Sequence, residues 1–116
     1  MSQCADLYLS FLQVDAKKPK TLADGLQAKM GNLTWAIVRD LVDDVVVVEE
    51  EEIVESMKLV YERMKVVVEP SGAVGVAATI KMGNQLAQRY PKDTFKKIGV
   101  VLCGGNTDFS AGEPID

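Results

Sequence analysis

The sequence predicts an α/β fold, a partial parallel sheet with flanking helices. Three observations lead there. Residues 45–48 and 98–103 are short runs of aliphatic and mostly β-branched residues bounded by polar or turn residues, as in strands buried within a parallel sheet. Around them lie stretches with apolar residues at three- and four-residue steps, giving the order helix, helix, strand, helix, helix, strand. Two strands joined by such long helical connections run parallel. A two-stranded sheet carrying four helices would leave two long unpaired edges, which folded proteins avoid. Further strands are therefore expected from a partner or from sequence outside this chain.

The elements follow in order. In residues 1–16, Leu7, Leu9 and Phe11 alternate as in a strand, while Tyr8, Phe11 and Leu12 also suit one helical face. Both readings stay open. Lys17, Lys18, Pro19 and Lys20 form a basic, proline-containing connector, so residues 1–20 are set apart as leader and linker. Thr21 is expected to cap a helix with Asp24 as its acidic partner, Leu22, Ala23, Leu26 and Met30 on the apolar side, and Gly31 as the stop. Thr34 is expected to cap a second helix with Ile37, Val38, Leu41 and Val42 on one face and Trp35 as a packing anchor.

After the 45–48 strand come four consecutive glutamates. Successive carboxylates on a helix point in different directions, which argues against a metal cluster. Placed in a first turn, they meet the positive end of the helix dipole instead. Ile53, Met57, Val60, Tyr61, Met64 and Val67 then make the longest apolar stripe in the chain, expected to stop before Pro70. Ser71 is expected to cap the last helix, whose small residues from Gly72 to Ala78 let a neighbour pack closely, and which should run to Tyr90. A polar turn leads into the 98–103 strand.

Composition bounds the chemistry. The 116 residues suit one domain, and the net charge of −4 offers nothing to nucleic acid or an anionic membrane. There is no histidine, which removes the commonest general base and every imidazole-dependent triad. The two cysteines, Cys4 and Cys103, suit a reduced, cytoplasmic setting better than a disulfide framework. No run is long and apolar enough for a membrane span, and Asp6 stands where a signal peptide would be basic. No metal-ligating set is assigned. The place for a ligand is Cys103-Gly104-Gly105-Asn106, because ligands of open α/β sheets gather at the carboxyl ends of strands. Apart from any family resemblance, the favoured reading of Cys103 is a small buried hydrophobe, with Lys65 a surface charge and Glu69 a helix-end carboxylate.

Five words carry a family resemblance: Ala23-Asp24-Gly25-Leu26; Thr34-Trp35 with Arg39-Asp40-Leu41-Val42-Asp43-Asp44; Tyr61-Glu62-Arg63-Met64-Lys65; Val68-Glu69-Pro70-Ser71-Gly72-Ala73-Val74-Gly75; and Leu102-Cys103-Gly104-Gly105-Asn106-Thr107-Asp108. In this order they resemble the C-terminal part of the serine racemase and threonine (serine) dehydratase family, fold type II pyridoxal-phosphate enzymes. The resemblance implies that residues 21–116 are the C-terminal segment of a tryptophan-synthase-beta-like domain binding pyridoxal 5'-phosphate. The parent activity it implies is racemisation of hydroxyamino acids or their α,β-elimination as an ammonia-lyase, in a homodimer. It places Cys103 at the pyridine nitrogen, with Gly104 and Gly105 bordering the ring. It assigns Lys65, Asn106 and Glu69 to a nucleotide effector site, for ATP with Mg. The family's Ser-x-Lys-x-Arg-Gly segment with its Schiff-base lysine, its glycine-rich phosphate loop and its acidic metal motif have no counterpart here, and residues 31–34 differ locally. No catalytic residue is therefore assigned, and truncation is expected. Two other readings stand beside the enzyme segment: a non-catalytic interaction module, and a small effector-binding domain resting on Lys65 and Asn106.

Overall fold

The computed structural model describes residues 20–28, 30–89 and 96–105. Expectations for residues 1–16, Tyr90 and Asn106 lie outside them. The described elements are a 3-10 turn, Asp24–Leu26, and three helices: α1, Asn32–Leu41; α2, Glu50–Leu59, continued by a π turn, Val60–Met64; and α3, Pro70–Arg89.

The glutamate run explains where α2 begins. Glu49 is the N-cap, and it forms a reciprocal capping box in which its own N–H donates to Glu52 Oε2 at 2.7 Å. Glu50, Glu51 and Glu52 fill the first turn, where the helix dipole favours negative charge. Two of them also bind distant parts of the chain. Glu50 Oε2 accepts the Leu22 N–H at 2.8 Å, and Glu52 Oε2 accepts Lys81 Nζ at 2.9 Å. The dipole reading of these residues agrees with their placement. The Glu49 N–H first, and Lys81 second, hold the Glu52 carboxyl below its ordinary pKa.

Helices α2 and α3 pack together and carry the core. Ile53, Val60, Val68 and Ala73 are buried with Ala23, and Met57, Val74, Val76, Val48 and Leu102 pack around them. The small residues of α3 make this close approach possible: Ala73 has no exposed surface and Ala77 is buried. Proline is tolerated at the head of α3 because a first-turn N–H has no intrahelical partner. The Glu69 carbonyl accepts the N–H groups of Gly72 and Ala73 at 2.9 and 3.1 Å.

The expected partial sheet is not confirmed, and several helix expectations are corrected. Among the described residues no strand forms, and residues 45–48 and 98–103 are irregular. Val101 is 82% exposed rather than buried. A strand exists only through the ladder it makes with a neighbour, and these runs have none within the described residues. The helix expected from Thr21 shortens to the Asp24–Leu26 turn. Thr21 Oγ1 accepts the Ala23 N–H two residues on, a local turn that competes with helix. Helix α1 starts from Gly31, so Thr34 lies inside it and its hydroxyl donates to the Gly31 carbonyl at 2.9 Å. The stripe after Ile53 does not reach Pro70. It ends at Lys65, which adopts the left-handed conformation with φ 58°. Tyr61, Met64 and Val67 are exposed as a result. On α1, Leu33, Ile37 and Leu41 are exposed, Leu33 at 88%, while Trp35 and Val38 are half-buried.

Three outcomes follow from this packing. Ile53→Ala should lower stability by about 2–5 kcal/mol in urea unfolding, through lost contacts and a cavity, whereas Leu33→Ala should stay within about 0.5 kcal/mol. Lys65→Gly should raise stability by up to about 1 kcal/mol in the same assay, since only glycine takes a left-handed φ without steric cost. Because the Glu52 pKa is lowered in the fold, its contribution is full above the ordinary glutamate value and is lost as pH falls through the lowered one. Circular dichroism of Glu52→Gln against pH should therefore show a shallower acid loss of helix than the parent chain.

Candidate functional site

The region around Cys103 is built where α3 begins. The Glu69 N–H donates to the Gly104 carbonyl at 3.1 Å, joining the 103–105 turn to the residue before the helix. Gly104 has φ +72°, the left-handed region that favours glycine. The place its Cβ would take is filled by the Glu69 carboxyl group. One helical turn on, the Cys103 carbonyl stands where a Gly72 Cβ would lie, and Gly75 leaves room for Val100. The Gly105 α-carbon faces the Val67 carbonyl, 3.6 Å from where its Cβ would sit. The segment thus lies along the small-residue face of α3.

The structure brings Cys103, Gly104 and Gly105 together with Glu69. Cys103 carries an exposed free thiol, so its reading as a small buried hydrophobe does not hold. Lys65 is exposed at the end of the π turn, at the far end of residues 65–69 from Glu69. Asn106 lies outside the described residues, so its meeting with Lys65 has no described geometry. Sequence reasoning missed a second contact nearby. Ser71 does not cap α3; it sits in the first turn, and its hydroxyl accepts the Gly25 N–H at 3.1 Å. This joins the Asp24–Leu26 turn to the same helix start, a pairing across 46 residues that no local sequence pattern signals. Among the described residues no lysine is buried, and Lys81 is engaged with Glu52. No group of three His, Cys, Asp or Glu among them could hold a metal ion. No described helix is long and apolar enough to cross a membrane.

A family model, "Pyridoxal-phosphate dependent enzyme", matches residues 1–104. The chain belongs to this family. The match begins ahead of residue 21, where the family words start, and includes residues 1–20. Within the family, the proteins it is similar to include serine racemases and a threonine deaminase. It is 54% identical over 91 residues to a serine racemase from Arabidopsis thaliana, covering 78% of this chain and 27% of that protein. Among solved structures, maize serine racemase is similar with a TM-score of 0.77 and 42% identity, over 92% of this chain and 33% of that one. A T.th. threonine deaminase gives 0.72 and 35% identity, over 93% of this chain and 38% of that one. The chain therefore spans about a quarter of the Arabidopsis relative's length (27%) and corresponds to part of a fold type II pyridoxal-phosphate enzyme.

The residues present fit one side of the family's cofactor. A thiol can make one hydrogen bond to a pyridine nitrogen, and the two glycines beside it bear no side chains of their own, with the Glu69 carboxyl lying on the Cβ side of Gly104. The described residues offer neither a buried lysine for covalent attachment nor a glycine-rich phosphate cradle. Gly104→Ala should lose about 1–2 kcal/mol from its left-handed backbone alone, and its new methyl should displace the Glu69 carboxyl. In a double-mutant cycle by urea unfolding, Glu69→Ala should relieve the steric part, leaving a coupling of about 0.5–3 kcal/mol between the two positions.

Proposed function

We propose that this chain is the C-terminal segment of the cofactor domain of a serine racemase or threonine/serine dehydratase, and that it serves catalysis only together with the rest of that domain. The observation that carries this reading is the exposed Cys103 beside a left-handed Gly104 pinned by the Glu69 N–H, at the Gly-Gly-Asn turn where the family resemblance places the residue that meets the pyridine nitrogen. Pyridoxal phosphate, when bound, supplies the electron-withdrawing ring that lets an α-proton leave a hydroxyamino acid. On this reading Cys103 holds a neutral hydrogen-bonding group at the ring nitrogen. The Gly104–Gly105 backbone borders the ring and lets it lie close. A neutral partner leaves that nitrogen less fully protonated than a carboxylate would, which suits proton removal followed by reprotonation or loss of a β-hydroxyl.

The finer parts of the proposal follow. Residues 45–48 and 98–103 become parallel strands when neighbouring strands complete the sheet. Their β-branched composition and their packing through Val48 and Leu102 onto the α2–α3 core support this. Lys65, Asn106 and Glu69 face a nucleotide effector, ATP with Mg. The complete enzyme is a cytoplasmic homodimer acting on small hydroxyamino acids, without nucleic acid or membrane.

The test combines this chain with a polypeptide carrying the family's Ser-x-Lys-x-Arg-Gly and glycine-rich segments, and adds pyridoxal phosphate. Visible absorbance of a lysine-bound cofactor should appear in the mixture and not with this chain alone. After borohydride reduction, peptide mapping should place the cofactor on the added polypeptide. A specific lysine of this chain carrying it would overturn the proposal, as would a mixture that stays colourless. In the assembled protein, Cys103→Ala should weaken cofactor binding about fivefold, the worth of roughly 1 kcal/mol for one hydrogen bond, and Cys103→Ser should stay within about twofold.

A further inference from the structure

We draw no further inference here: the strongest candidate, the exposed apolar face of helix α1 formed by Leu33, Ile37 and Leu41, carries none because nothing in the structure shows what covers it.

Discussion

The core and the Cys103 turn depend on how closely α3 can be approached. Its early turns present Gly72, Ala73, Gly75 and Ala77, so two different neighbours come near its backbone. Helix α2 packs on Ala73, where Ile53, Val60 and Val68 complete the core. Segment 98–105 meets Gly72 and Gly75. Larger side chains would push both neighbours outward, and close packing leaves little room to absorb such a shift. The turn at Cys103 and the α2–α3 core thus share one helix, and a disturbance of either neighbour reaches the other through it.

The acidic start of α2 provides the second constraint. Glu52 holds the Glu49 N–H and Lys81 at once, and Glu50 holds the Leu22 N–H. One helix terminus therefore anchors α3 on one side and the segment leading to the Asp24–Leu26 turn on the other. That turn is fastened in addition by Gly25 to Ser71, at the head of α3. Each surface pair is worth little alone. Their value here is positional, since together they orient the turn and both helices around the small-residue face.

What is legible in the sequence follows the physics of each signal. The glutamates of α2, the small face of α3 and the close approach of the Cys103 turn are local or steric matters, readable from residue type and spacing. The cap of α1 is harder to place because Thr34 and the residues before it offer several plausible starts, and side-chain hydroxyls can serve a turn as well as a cap. Nothing in the 53–67 stripe announces the π turn or the left-handed Lys65, since period alone cannot say where a helix stops when no glycine or proline marks the place. Composition suggests the strands, yet a strand is a relation between segments. Val45 to Val48 keep the residue types of a sheet while lacking, among the described residues, the ladder that would make one. Of the site, Cys103, Gly104, Gly105 and Glu69 come together, whereas the pairing of Ser71 with Gly25 spans 46 residues and no local pattern could reveal it.

The division of labour at the proposed site follows from which contacts this chain makes for itself. Gly104 takes its left-handed conformation against Glu69, and the Cys103 carbonyl lies against the start of α3, so the shape of the turn is set from within. Cys103 itself is exposed. A neutral hydrogen-bonding group can be useful at a ring nitrogen only if its direction is fixed, because a freely rotating partner gives up in entropy much of what one hydrogen bond contributes. On the proposed reading, the backbone contacts of the turn supply part of that requirement from within this chain. Covalent attachment and phosphate binding require a lysine in a protected setting and a cradle of backbone N–H groups, and each needs a surrounding shell that exposed lysines such as Lys65 do not have. On the proposed reading the segment would supply an orienting turn and leave the bond-making to the rest of the domain, and that asymmetry is what a two-piece assembly of this fold would have to respect.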